Sequence, residues 1–377
     1  MGTSEASHPR ATAPNSPPLY RVEISGWTSV DSGEKGPSAR PHPPRAPRPM
    51  LSSRRLLASL LLFCTAGFYL LNTTQNPAHP PPDDAVIQEG RSKPGIFIHE
   101  AWTRGDFAKD GGQRVRGIAA GSAVKKRQLL LSIPLPHIIT GGWVAQSSSI
   151  AWHITHTRDR FFASLPSEEV LQDHNLLYAT PAELELFSML PLAGRIRKAQ
   201  TRVSRGFQLV RDQPLFAGAG GKALWKRAVA LGDSRRFGLR GSTNQSAFIP
   251  YADLPNSADA PDAETMTWGW SEERQAFEMR ARRDVAVGEE LTISYQVSSM
   301  KPNDELALVY GFLWRNNPTP LKAPGGGWAA FCDHPSPPPD RLRRSPSFKV
   351  AHLLLPLLRE YCGVARRQGV CRACSTV

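Results

Sequence analysis

The sequence predicts an α+β fold, with a β-rich domain interrupted by a helical insert. A disordered N-terminus and one hydrophobic N-terminal segment precede it, and a short C-terminal helical tail follows. Strand-like runs crowd residues 95–140 and return after residue 247, while the apolar pattern between them has a helical period. No regular βαβ alternation is present and no GxGxxG follows a strand, which argues against a doubly wound nucleotide-binding sheet. The chain has 377 residues, enough for one large or two modest domains, and its 34 prolines mark polar additions to a globular part.

Residues 1–50, rich in Pro, Ser, Arg and Gly, read as a disordered tail. Residues 51–75 contain Arg54-Arg55 and then LLASLLLFCTAGFYLL (56–71), an uncharged apolar run of 16 residues. That is short of the ~20 residues of a spanning helix and longer than many signal-peptide cores. The double arginine favours a signal anchor with a cytosolic N-terminus. Starting at Met50, the same stretch reads as a signal peptide with a small-residue cleavage site at Cys64-Thr-Ala66, and a buried core helix is the third reading. The chain is therefore expected to be membrane-anchored through 56–71 or routed through the secretory pathway, with an organelle among its destinations. Asn72-Thr73-Thr74 is a glycosylation sequon close to that segment, and residues 76–94 read as a linker.

The folded part is expected at 95–318. GIFIHEAWT (95–103), RVRGIAAGSAV (114–124) and QLLLSIPLPHIIT (128–140) are strand-and-turn signals. The helical insert covers about 141–240. Within it Thr180-Pro181-Ala-Glu183 forms an N-cap, a first-turn proline and a capping-box glutamate, followed by apolar Leu184, Phe187, Met189 and Leu190. ALWKRAVAL (223–231) is a further amphipathic stretch. TMTWGW (265–270), AFEMRARRDV (276–285) and LTISY (291–295) restore the strands. Residues 319–377 form a short basic C-terminal region with a Pro-rich loop (335–339) and a helix expected around 347–361.

Net charge is +13, but residues 1–55 hold 8 Lys and Arg to 4 Asp and Glu, and residues 341–377 hold 8 to 1. Eleven of the 13 net charges thus lie at the two ends, and the middle is nearly balanced. A nucleic-acid face concentrates charge on folded surface, so no nucleic-acid partner is expected. The five cysteines do not make an even extracellular framework. Cys371-Arg-Ala-Cys374 has the spacing of a metal knuckle, which Cys362, or Cys332 with His334, would complete. Free thiols on a tail are the alternative reading.

RVRGIAAGSAVKKRQLLLSIPLPHIIT, GDSRRFG, FIPYADLPNSAD, RARRDVAVGEELTISY and PNDELALVYGF, in that order, resemble the SET-domain protein methyltransferases. The likeness is to the class typified by the Rubisco large-subunit methyltransferase, whose SET domain is split by a helical insert. It implies binding of S-adenosyl-L-methionine on one face and of a protein substrate's lysine on the other, joined by a narrow channel. Tyr295 matches the catalytic tyrosine and Tyr310 a second aromatic of the site, with Gly311 and Phe312 against the cofactor. Arg116-Gly117 matches a glycine turn that meets the cofactor, with Val115 where many relatives carry glycine. Arg235 matches an arginine that holds the cofactor, Arg236 being the alternative owner of that role. Asp253 and Asn256 fall on an Asp-x-x-Asn pattern, and Ser257 stands where relatives carry histidine. The function expected is methyl transfer to a protein lysine. The alternatives are a degenerate module that binds protein, or methylation of a protein histidine.

Overall fold

The computed structural model describes residues 84–108, 114–239, 246–258, 262–295, 301–314, 317–319, 321 and 353–367, all within the unit Ala78–Val377. The N-terminal tail, the apolar run 56–71, the Pro-rich 335–339 loop, and Cys64, Cys332, His334, Cys371 and Cys374 lie outside the described residues. Among the described residues no helix is long and apolar enough to cross a membrane.

The fold begins before residue 95. Within the stretch read as a linker, α1 (Asp84–Ser92) buries Val86 and Ile87. Its Arg91 guanidinium donates to the carbonyls of Ile98, His99, Glu100 and Trp102 at 2.7–3.2 Å. The helix is short and polar, and its hold on the domain is tertiary, so no periodic signal announces it.

Four strands follow: β1 (Phe97–Ile98), β2 (Trp102–Ala108), β3 (Arg114–Ala120) and β4 (Leu129–Pro134). After the insert come β5 (Arg236–Gly238), β6 (Ser246–Phe248), β7 (Met266–Ser271), β8 (Ala276–Ala281) and β9 (Glu290–Leu291). They make three small antiparallel sheets in the orders β1-β4-β8-β7, β2-β3-β9 and β5-β6. β4 lies between β1 and β8 with Leu130, Leu131 and Ile133 fully buried, which explains an apolar run interrupted only by the buried Ser132.

The insert comprises α2 (Trp143–His156), α3 (Arg160–Ala163), α4 (Glu168–His174), α5 (Pro181–Leu186), α6 (Pro191–Val210) and α7 (Gly221–Arg235). The capping box at Thr180 is formed. Glu183 N–H donates to Thr180 Oγ1 at 3.2 Å, and Thr180 N–H donates to the Glu183 carboxylate at 2.7 Å. In α7, Trp225 is fully buried and its indole N–H donates to the Val203 carbonyl of α6 at 2.8 Å.

Two further helices, α8 (Asn303–Tyr310) and α9 (Leu355–Arg367), close a second apolar core containing Leu184, Phe187, Leu190, Ile196, Leu357 and Tyr361. The C-terminal helix runs to Arg367, past the end of the expected 347–361, while residues 347–352 lie outside the described residues. A π-helical pair, Leu353 and Leu354, leads directly into it, with Pro356 at its second residue. Cys362 is buried in that helix, and no group of three or more His, Cys, Asp or Glu among the described residues is placed to hold a metal.

Candidate active site

The segment 248–258 reaches the site from β6. Tyr251, fully buried, takes a positive φ of 67°, an uncommon conformation for a bulky residue. Its ring packs 5.0 Å from that of Phe161. Burial pushes its phenol up to about 12. Five residues later the chain runs parallel to the end of the LTISY stretch: Ile293 N–H donates to Asn256 O at 3.1 Å and Ala258 N–H to Ile293 O at 2.9 Å. LTISY is therefore less regular than the expected strand. Its regular part stops at Leu291, because Thr292 bonds Thr265 and Met266 while Ile293 bonds residues 256–258 on another side.

That threading sets Tyr295 beside Pro255, and the phenol donates to the Pro255 carbonyl at 3.0 Å. Tyr310, the last residue of α8, donates its hydroxyl to the Tyr295 carbonyl at 3.3 Å, and the two ring centroids are 4.9 Å apart. Phe312 completes the cluster, 6.0 Å from each of them. Gly311 makes the turn between Tyr310 and Phe312 possible. Its φ is +76°, it ends α8 with its N–H on the Leu306 and Ala307 carbonyls, and a Cβ there would come within 3.1 Å of the His174 carbonyl.

On one side of Tyr295 lies a cleft of about 380 Å3, part of it open to solvent. Its lining includes Arg235, Arg236, Phe237, Asp253, Trp268 and Tyr310, together with Tyr295 itself. Arg235 Nη1 pairs with Asp253 Oδ2 at 2.7 Å, and the Asp253 side chain is 2% exposed. Burial pushes the Asp253 carboxyl up, opposed by the Arg235 guanidinium. Arg235 Nε and Asp253 Oδ1 are both buried without a partner among the described residues. Burial raises the Tyr295 phenol, against the pull of Arg235, and also raises that of Tyr310. Both phenols are therefore neutral at physiological pH.

Outside the cleft lining and next to Pro255, Asn256 Nδ2 donates to the Arg116 carbonyl at 2.9 Å and to Glu290 Oε1 at 2.8 Å. The approach depends on Gly117, since a Cβ there would lie 2.5 Å from Asn256 Nδ2 and 2.9 Å from Glu290 Oε1. Ser257 is buried, and its hydroxyl donates to the Ala258 carbonyl at 3.3 Å.

The structure thus brings Tyr295, Tyr310, Gly311 and Phe312 together, and Arg116, Gly117 and Asn256 together. Arg235 and Asp253 form an ion pair with each other in the cleft. Sequence reasoning missed Trp268, Phe237 and Glu290. Trp268 and Phe237 sit in ordinary strand sequence, and Glu290 reads as a turn residue. Their roles come from long-range packing, with Phe237 and Trp268 ring centroids 5.3 Å apart.

The SET domain family model matches residues 115–296. Among solved structures, the chain is similar to the SET domain of LSMT bound to lysine and AdoHcy, at 16% identity and a TM-score of 0.50, over 76% of this chain and 82% of that one. It is similar to Rubisco LSMT bound to AdoMet, with a TM-score of 0.51 at 16% identity, over 76% and 81%. It is also similar to the LSMT SET domain bound to MeLysine and AdoHcy, at 0.52 and 16%, over the same shares. No match is found among curated protein sequences. Family-model match, fold and the order of the motif residues agree: this chain carries a SET domain, interrupted by the helices α2 to α7.

Proposed function

We propose that the chain transfers a methyl group from S-adenosyl-L-methionine to the side-chain nitrogen of a lysine in a protein substrate. The observation that carries this reading is the place of Tyr295, a neutral phenol that lines the aromatic-walled cleft and bonds the carbonyl of Pro255, the residue before Asn256. The methyl donor supplies an electrophilic methyl on a sulfonium sulfur. Transfer is an in-line displacement, so alignment and exclusion of water are the main demands on the protein.

The residues present fit that task. With both Asn256 amide hydrogens engaged by Arg116 and Glu290, its Oδ1 is left to accept from a bound group. The buried Arg235 Nε and Asp253 Oδ1 are polar atoms that a ligand would satisfy. Asn256, the Arg116–Gly117 backbone and Phe312 would hold the donor. The Tyr295 hydroxyl donates its hydrogen bond to the Pro255 carbonyl, so its lone pairs are left to accept from the target amine or the polarised methyl. A target lysine must lose a proton whose unperturbed pKa is about 10.4. The cleft wall of Phe237, Trp268, Tyr295 and Tyr310 favours the neutral amine by desolvation.

Calorimetric titration of the chain with S-adenosyl-L-methionine tests the reading. Saturable heat is expected, and its absence at millimolar ligand would overturn the enzyme in favour of a SET module that binds protein. Peptides carrying lysine or histidine as the one acceptor then separate the two target residues. The run 56–71 supports a further proposal, membrane anchoring or secretory routing. A C-terminal fluorescent fusion that stays wholly in the cytosol would rule it out.

A further inference from the structure

Asp233, near the end of α7, is shared by three donors. Arg236 Nη2 reaches its Oδ1 at 2.6 Å, the Trp143 indole N–H reaches the same oxygen at 3.2 Å, and Arg202 of α6 pairs with Oδ2. One carboxylate therefore serves two guanidinium groups, and Arg236 lines the cleft. The Arg202 guanidinium also lies over the Trp143 ring, 4.7 Å from its centroid, which fixes it beside the cleft's edge.

The excess continues along α6. The helix PLAGRIRKAQTRVSRGFQLV contains no Asp or Glu. Lys198, Arg202, Arg205 and Leu209 follow one another at intervals of four, three and four, so they share one helix face. Lys198 and Arg205 are exposed and have no ion-pair partner among the described residues, and Leu209 is 64% exposed. Nearby acids on α8 are engaged elsewhere: Asp304 by Arg195 and Tyr361, Glu305 by Lys301. From helix face to cleft there are five cations (Lys198, Arg202, Arg205, Arg235, Arg236) against two carboxylates (Asp233, Asp253).

We propose that this band, from Lys198 and Arg205 through Arg202 to Arg236, is the docking surface for an acidic stretch of the acceptor protein, beside the residue to be methylated. The inference rests on the methyltransferase reading and deepens it by naming the substrate class. A lysine ammonium approaching an electropositive rim is repelled unless flanking carboxylates compensate it. Complementary acids thus select the acceptor and raise the rate of encounter. Leu209 offers an apolar contact at the far end of the band.

The test uses the full chain and fluorescein-labelled peptides with one central lysine, flanked by glutamates, by glutamines or by arginines, read by fluorescence anisotropy. The glutamate peptide is expected to bind about tenfold more tightly than the glutamine peptide at low salt, with the preference shrinking at high salt. The double variant Lys198→Glu/Arg205→Glu touches neither the cleft nor the core. It is expected to weaken the glutamate peptide about fivefold and leave the glutamine peptide unchanged. Equal affinity for the glutamate and glutamine peptides, or a preference that survives the charge reversal, would overturn the proposal. So would a single-stranded oligonucleotide that binds as tightly as the glutamate peptide and loses its binding on the same reversal. Calorimetry with S-adenosyl-L-methionine on the same samples keeps the two readings apart, because peptide affinity is read without methyl transfer.

Discussion

On the cleft side of Tyr295 a buried ion pair, Arg235–Asp253, stands among aromatic rings, whereas outside the cleft lining Asn256, Gly117 and Glu290 meet through amide hydrogen bonds at a close backbone approach. The first arrangement is electrostatic, and losing one partner leaves a charge in a dry place. The second is steric, and it fails when an atom is added. The two sides share Tyr295, whose hydroxyl ends on Pro255, the residue before Asn256. Substitutions should therefore separate the sides, one through stability and its pH dependence, the other through ligand affinity.

Arg235→Met should break the cleft side hardest, with a loss of about 3 kcal/mol in denaturant unfolding, because it leaves the Asp253 carboxyl buried and unpaired. Burial already holds that carboxyl above its ordinary range, and without the opposing guanidinium it rises further. The deficit should then be smallest at acid pH, where the group is protonated in both states. It should grow as pH rises through the wild-type folded-state pKa of Asp253, which burial already holds above the ordinary carboxylate range. A deficit independent of pH would remove the ion pair from the account.

Tyr295→Phe acts on the element common to both sides. It should lower methyl transfer about 100-fold or more while leaving S-adenosyl-L-methionine affinity within about threefold, since the ring stays and only the hydroxyl goes. Equal transfer by the two proteins would take Tyr295 out of the reaction. Because burial raises this phenol, the wild-type rate should climb with pH as the target amine deprotonates. No downturn from phenol ionisation is expected up to about pH 10.

Gly117→Ala is the corresponding test of the steric side. Its methyl would meet Asn256 Nδ2, so donor affinity measured by calorimetry should fall about tenfold with thermal stability nearly unchanged. Unaltered affinity would show that Asn256 does not need that approach. Tyr310→Phe should have the smallest effect, about 0.5–1 kcal/mol in unfolding, for the loss of one hydroxyl bond at 3.3 Å to the Tyr295 carbonyl.

Motif order made much of the site legible. SRRF, the Asp-x-x-Asn pattern, ISY and YGF each bring a residue to the same neighbourhood, and Gly311 shows why that position needs glycine. The capping box at Thr180 and the strand signals at 128–134 and 276–281 were equally readable, since each depends on neighbours in the chain. Helix α1 was not readable. Its apolar residues are few, and Arg91 works through carbonyls seven to eleven residues away. Glu290 has no local signal either, because its partner Asn256, which donates to it, stands 34 positions earlier.

The amino-acid sequence by itself determined the α+β class, the helical insert and the capped helix at 181, and its motif order carried the resemblance that implied a site around Tyr295. These follow from local periodicity, capping chemistry and the order of short motifs. Only the tertiary structure decided that Arg235 pairs with Asp253, that Trp268 and Phe237 wall the cleft, and that Asp233 serves two arginines at its edge. Partner choice among charged groups depends on which side chains the packed core leaves side by side. That is set by distances across the fold rather than by spacing along the chain.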